Sequence, residues 1–203
     1  MSALRYFKIN TGYFKDHDLC MVHHAPNKVR HIDYMLSWGE RLGTLYPDTL
    51  EDARIYMEPN YGGGLGGLVS NTNQFLIVSG AVKNVMGKFH PDPTALEMLR
   101  VIICDHKKRV ASDEYWFVNP IGVLDCLDLN KSVIKRSSTS EVISVKSMVL
   151  RAGGIDPAKP LFRPKESPSV YIIRHDLLMA IKALNLPIPN IYVEELEVTG
   201  APA

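Results

Sequence analysis

Phe75 to Phe89 reads FLIVSGAVKNVMGKF. A short apolar run of strand type, FLIVS, passes without interruption into Val82, Val85, Met86 and Phe89, which repeat at helical spacing. Ser79 stands where that helix begins and is a suitable N-cap. The arrangement returns at Val170 to Leu184, VYIIRHDLLMAIKAL, where VYII precedes Asp176, and Leu177, Leu178, Ile181 and Leu184 fall on one helical face. The two stretches align without a gap, chiefly in hydrophobic pattern. They suggest two strand-helix units of similar design, a weak internal duplication.

Working outward, Leu4, Tyr6 and Phe7 to Ile9 read as a first strand, and His31 to Trp38 as a short helix with Ile32, Met35 and Leu36 on its apolar face. Pro47, Pro59 and a glycine run mark a long irregular region from about Gly39 to Asn73. Leu99 to Cys104 and Tyr115 to Val118 are strands joined through Asp105 to Glu114, a charged connection suited to a hairpin tip. Glu141 to Leu150 reads as one further strand by its β-branched content, and Ile191 to Val198 as the last, before a small-residue tail expected to be mobile. Antiparallel-type strands with helices among them give an α+β expectation: mainly antiparallel sheet with a few packed helices. A doubly wound parallel sheet would repeat the strand-then-helix order more than twice. Residues 1–73 form an amino-terminal part and 74–198 the core, joined in one compact domain.

The chain has 203 residues, 46% of them hydrophobic, enough to bury a substantial core. A formal net charge of +1 removes the strong global field on which a nonspecific DNA binder relies. No apolar stretch of secretory length follows MSALRYFKIN, and no window approaches a membrane span. Cys20, Cys104 and Cys126 are odd in number, far apart and without a CxxC pair, which suits reduced, buried thiols in a cytoplasm. One intramolecular disulfide is left open by this count.

Candidate chemistry is thin. Gly62, Gly63, Gly64, Gly66 and Gly67 invite a phosphate-cradle reading, but no Lys-Ser or Lys-Thr follows to complete a P-loop, so a tight or flexible loop is the better reading. Cys20, His23, His24, His31 and Asp33 are the densest potential metal ligands, yet the second arm of a zinc site is missing and no HExxH helix is present. No metal or other cofactor is expected. Ser70, Ser79, Ser137, Ser138 and Ser140 lie in no GxSxG elbow. Asp125 and Asp128 stand three apart and could share a helical face, as paired carboxylates do for acid-base work, although capping or solvation is the commoner role. Tyr115, Trp116 and Phe117 read first as sheet packing. No catalytic residue emerges, and the chain is not expected to be an enzyme. The alternative from another class is a small-molecule or nucleotide-binding protein using the Gly62–Gly67 loop with His23 or His24.

Charge is uneven. Lys131 to Lys165 holds eight basic residues against Glu141 and Asp156, and a nucleic-acid module would draw on Lys131, Lys135, Arg136, Lys146 and Arg151 with steep salt dependence. Gly39 to Phe75 is acidic, with Glu40, Asp48, Glu51, Asp52 and Glu58 against Arg41 and Arg54. The carboxyl end carries Glu194, Glu195 and Glu197 with no Lys or Arg after Lys182.

Five segments follow one another in order: LIVS at Leu76 to Ser79, YWFVNPIGVLDCLD at Tyr115 to Asp128, Ser132, LFR at Leu161 to Arg163, and VYIIRHDLL at Val170 to Leu178. Together they resemble the signature of a family of immunity proteins from bacterial polymorphic toxin systems, typified by a myxobacterial kin-discrimination immunity protein. The resemblance runs best from Gln74 to Val198. It departs at NLPIPN, Asn185 to Asn190, where the family usually has a glycine-containing turn after its last helix. It implies a cytoplasmic protein without enzymatic activity that binds a cognate toxin, often a nuclease, and blocks its active site or locks a harmless conformation. Its partner would be a protein, not a membrane and not nucleic acid directly. It also implies that Trp116, Asn119, Asp125, Asp128, Phe162 and Arg163 are fold determinants, with Asp125, Asp128 and Arg163 as charges held in place. A basic nuclease surface calls for a complementary acidic one, for which Glu51, Asp52, Glu58, Glu194, Glu195 and Glu197 are the candidates. A symmetric homodimer is an acceptable expectation, although nothing in the chain specifies one.

Overall fold

The apolar run before Val82 becomes strand only at its end, and Gly80 opens the helix directly. The protein is described by a computed structural model over residues 4–12, 16–90, 92, 94–187 and 192–200. In chain order the strands are β1 (Tyr6–Asn10), β2 (Met21–Val22), β3 (Arg54–Tyr56), β4 (Leu68–Asn71), β5 (Ile77–Ser79), β6 (Leu96–Cys104) and β7 (Val110–Pro120). They continue with β8 (Val133–Arg136), β9 (Val142–Ser147), β10 (Val149–Arg151), β11 (Leu161–Phe162), β12 (Tyr171–Arg174) and β13 (Tyr192–Thr199). The α-helices are α1 (Tyr34–Trp38), α2 (Gly80–Phe89) and α3 (His175–Lys182).

Two sheets and a hairpin result. One sheet has the order β2-β4-β5-β7-β6-β3, the other β10-β13-β1-β12-β11, and β8 pairs with β9 alone. Pairing is mostly antiparallel, with β2–β4, β3–β6 and β10–β13 parallel. The fold is therefore α+β and dominated by sheet. Strand β1 lies between β13 and β12, so the first strand of the chain is embedded among its last.

Successive residues point to opposite faces of a strand, and this alternation builds the layers. Val78 of β5 and Val118 of β7 face α2 and α3, where Val82, Met86, Leu177, Leu178 and Ile181 are buried. Ile77 and Phe117 face the other way, onto Val29, Leu36 and Leu42 of the amino-terminal part. In the second sheet Tyr171 and Ile173 face the helices, while Ile172, Tyr6 and Phe162 face Cys126, Leu127, Met148 and Leu150. The inner strands of both sheets are thus covered on both sides. This explains why IVS and YII read as continuous apolar runs rather than alternating ones.

Several expectations are corrected. The region from Gly39 to Asn73 is not irregular throughout, since β3 and β4 lie within it. Glu141 to Leu150 is two strands, interrupted at Met148; β9 pairs with β8, and β10 with β13. His31 to Trp38 begins as a 3-10 turn, Asn27–Ile32, and becomes α-helix only from Tyr34. Ser79 occupies the N-cap of α2, but its side chain makes no cap bond and its Oγ is buried without a partner. The turn at Asp105 is tighter than expected, closed by the Asp105 N–H donating to the Arg109 carbonyl at 2.8 Å, and strand resumes at Val110. After α3, Asn185 takes a left-handed φ of 52°. Asparagine tolerates that conformation better than most residues, and here it stands in a turn where the resembled family has glycine. Ile191, the end of NLPIPN and the residues after Gly200 lie outside the described residues.

Candidate partner-binding surface and the network beneath it

Arg163 of the LFR segment is fully buried, at 0% exposure. No carboxylate lies within ion-pair distance of it among the described residues. Its guanidinium donates instead to the carbonyls of Ser37 at 3.0 Å, Pro120 at 3.3 Å, Leu36 and Pro168, and to the Tyr171 hydroxyl at 2.8 Å. Its Cζ lies 4.1 Å from the centre of the Tyr171 ring. Leu36 and Ser37 belong to the last turn of α1, whose carbonyls have no partner within the helix. Arg163 therefore caps α1, placing a positive charge where the helix dipole is negative.

Asn119, the asparagine of VN, extends this network. Its Oδ1 faces Arg163 Nη2 at 3.4 Å, while its Nδ2 donates to the Glu40 carbonyl at 2.8 Å and to Glu97 Oε2 at 3.2 Å. Glu97, 5% exposed, accepts the N–H groups of Leu42 at 3.1 Å and Gly43 at 2.9 Å. Arg41 Nη1 stands 3.9 Å from its carboxylate. A guanidinium thus holds the carbonyls of the segment from Leu36 to Gly43, a carboxylate holds its N–H groups, and one amide joins the two. Gly39 completes the fit. Its φ is +73°, and a Cβ there would lie 2.9 Å from the Pro120 carbonyl and 3.1 Å from Arg163 Cδ.

What this clamp supports is exposed. Tyr34 and Trp38, one turn apart on α1, pack edge to face at 5.6 Å and are 48% and 55% exposed. Solvent-facing Tyr and Trp on a fixed scaffold are the side chains that most often anchor protein interfaces. Sequence reasoning missed Glu97, Tyr34 and Trp38 as members of a site. The available signals were a carboxylate inside the apolar strand LEMLRVIIC and a Tyr and Trp at helical i, i+4 spacing.

The other signature residues divide between core and surface. Phe162 is buried edge-on against Tyr6 at 5.8 Å. Trp116 is half-buried, with Lys83 Nζ 5.0 Å from its ring centre. Asp128 accepts the Thr199 hydroxyl at 2.9 Å, which draws its carboxyl below the usual range. Asp125 is exposed and pairs with Arg151 at 3.1 Å. The two acids do not share a helical face, because Asp125 and Asp128 flank the buried pair Cys126 and Leu127 in extended chain.

The acidic candidates lie on different sheets. Glu51 and Asp52 precede β3, with Glu51 3.9 Å from Arg54. Glu194, Glu195 and Glu197 are exposed on β13. Glu195 takes a two-point contact from Arg5 at 2.6 and 2.7 Å, and Glu197 lies 3.5 Å from Lys131. The basic stretch is dispersed likewise: Arg163 is buried, Arg151 pairs with Asp125, and Lys135 lies on the β8–β9 hairpin.

Glu58 sits apart from the other acids, on the wall of an open groove of about 360 Å³ that also takes in His23, His24, Arg30, Arg54, Tyr56, His106 and Lys108. Arg30 Nη2 and His24 Nε2 are 2.7 Å apart, so the ring accepts there and carries its proton on Nδ1. Burial, with His23 and Arg30 nearby, holds His24 below the usual imidazole range. The glycine loop is not part of this groove, which corrects the nucleotide-cradle alternative. The N–H of Gly62 donates to the His17 carbonyl at 2.8 Å, that of Gly64 to Asp18 at 3.0 Å, and that of Gly67 to Pro187 at 2.8 Å. These donors are engaged by the chain itself, and a Cβ on Gly62 would stand 2.0 Å from the Asp18 carbonyl. Close packing against Asp18 and Pro187 accounts for Gly62, Gly64 and Gly66.

Among the described residues no three His, Cys, Asp or Glu side chains are grouped to hold a metal ion, and no helix is long and apolar enough to cross a membrane. Cys20 and Cys126 are buried free thiols, and burial pushes both up to about 12, so neither is a thiolate near neutral pH.

Comparison with known proteins agrees with the signature segments. No curated protein sequence matches the chain. Residues 6–190 match the model of the Immunity protein family (Imm11), a span that includes α1, the Glu97–Asn119–Arg163 network and both strand-helix connections. The chain belongs to the immunity protein family Imm11.

Proposed function

We propose that this protein acts in the cytoplasm of a toxin-producing bacterium, where it binds a cognate toxin, a nuclease, and occludes its active site or locks it in an inactive conformation. The observation that carries this reading is membership of an immunity family over residues 6–190. The shape of the molecule supports it. The signature residues Asn119 and Arg163 are wholly buried, which leaves the surface free to differ between members that meet different toxins. Tight inhibition rests on a few well-held anchors within a large interface, and Tyr34 and Trp38 are held by the clamp beneath α1. The exposed acids Glu51, Asp52 and Glu194, with Glu195 and Glu197 once released from Arg5 and Lys131, supply charge complementary to a basic nuclease surface.

Co-expression with the product of the adjacent gene tests the reading. Growth should be rescued and a stoichiometric complex recovered. Failure of both sinks it, and a toxin that proves to act on something other than nucleic acid sinks the nuclease component alone.

A further inference from the structure

The groove between the His23–Arg30 segment, β3 and the Asp105 turn opposes the acidic character expected of this half of the chain. Three cations line it, Arg30, Arg54 and Lys108, together with three imidazoles, against the carboxylates of Glu58 and Asp105. Asp105 is already neutralised by Arg109 at 2.7 Å, so the lining has a surplus of positive charge. Arg54 has unused capacity: its Nε is buried without an acceptor, and its Nη2 reaches Glu51 only at 3.9 Å. A buried guanidinium N–H without a partner is costly, and the Arg54 side chain, 36% exposed, keeps part of its surface open to the groove. Arg30 is steadied by its contact with His24 at 2.7 Å, with the Asp33 carboxylate near enough to feel its charge.

We infer that this groove is an anion-recognition cleft that receives a carboxylate-bearing loop of the protein partner, gripped by Arg30, Arg54 and Lys108. The identity of the occupant as toxin rests on the functional reading above. A carboxylate suits the cleft better than a phosphate does. Glu58 on the wall repels a dianion more than a monoanion, and the planar guanidinium of Arg54 matches the two oxygens of a carboxylate. At about 360 Å³ the space fits one or two side chains, and it offers no track along which a nucleic-acid backbone could run. Tyr56, 42% exposed on the groove wall, provides apolar surface for the stem of such a loop. A nuclease that holds a divalent metal does so through carboxylates, and these are the groups an occluding protein would meet with cations.

The test uses the full chain and an acetylated, amidated Asp-Glu-Asp-Glu peptide as probe, with histidine ring resonances followed by NMR. The peptide should shift His23, His24 and His106 saturably and bind more weakly as salt is raised. An Arg54→Gln/Lys108→Gln variant should lose about tenfold in affinity with an unchanged melting temperature. Lys108→Asn, at the turn tip, should weaken binding in the same direction should the double variant fold poorly. Absence of saturable shifts overturns the inference, as does equal binding by the variants. Inorganic phosphate or a single-stranded DNA decamer binding as tightly as the peptide would also overturn it. Because the peptide assay needs no toxin, the two readings fail separately. Peptide binding without rescue of growth removes the toxin reading, and rescue without peptide binding removes only the cleft.

Discussion

Arg163 is where the residue scale is most informative, because a fully buried guanidinium with no carboxylate partner is rare and must be satisfied by backbone. Replacing it with Ala leaves the Leu36 and Ser37 carbonyls without a donor and opens a void beside Tyr171. The expected loss is about 3–5 kcal/mol in urea unfolding. Arg163→Lys should recover only part of this, since an ammonium cannot reproduce the planar fork that spans α1, Pro120 and Tyr171; equal stability of Lys and Arg variants would contradict the capping role. The LFR segment singled out Arg163 through its resemblance to the family signature; the partners of its guanidinium were not legible, because Leu36 lies 127 residues away and no side-chain pattern identifies a backbone carbonyl as an acceptor. His90 gives a second test at this scale. Burial holds it below its ordinary 6.5, with Arg174 acting in the same direction and hydrogen bonding to the Met86 and Leu161 backbone opposing. The unfolded chain then binds the proton first as pH falls, so stability declines below about pH 6.5 until the lowered value is passed. The melting temperature should fall between pH 7.5 and 5.5, and His90→Gln should flatten that slope, leaving the share contributed by His24, which has the same sign. Equal slopes in both proteins would contradict this.

At the scale of elements, the sequence spoke most clearly where apolar side chains were dense. The units at Phe75 to Phe89 and Val170 to Leu184 become β5–α2 and β12–α3, because a helix packed between two sheets needs an apolar stripe and a doubly covered strand needs apolar residues on both faces. Strands β3 and β4 escaped notice because three or four residues carry too little pattern to declare a period. The break at Met148 escaped for another reason: β9 and β10 are equally rich in Val and Ile, and only their partners differ. The glycine run was recognised as punctuation, but its contacts with Asp18 and Pro187 are non-local. They make a sharp prediction. Gly62→Ala, with its Cβ directed into the Asp18 carbonyl, should cost about 2 kcal/mol or more, whereas Gly63→Ala, which has open space around it, should change stability by less than about 0.5 kcal/mol. Equal effects in thermal unfolding would show the loop to be loose rather than packed.

At the scale of the whole molecule, two sheets enclose α2 and α3, and Asn119, Phe162 and Arg163 sit in the interior, whereas Asp125 and the chemically varied surfaces lie outside. This division was only half visible beforehand. The scaffold could be identified from ordered segments, but the exposed Tyr34–Trp38 pair and the cationic groove arise from residues brought together by folding. Glu58 shows the difference: it belongs to a stretch, Gly39 to Phe75, that reads as acidic, yet in space it lines a groove with His23, His24 and Lys108. The most direct measurement is co-expression of the adjacent gene's product with the wild-type chain and with a Tyr34→Ala/Trp38→Ala variant, scored by growth and by co-purification. Rescue and a one-to-one complex are expected with the wild type, and at least about a tenfold weaker complex with the folded variant. A toxic neighbour that is neither bound nor neutralised by the wild-type protein would contradict the immunity role.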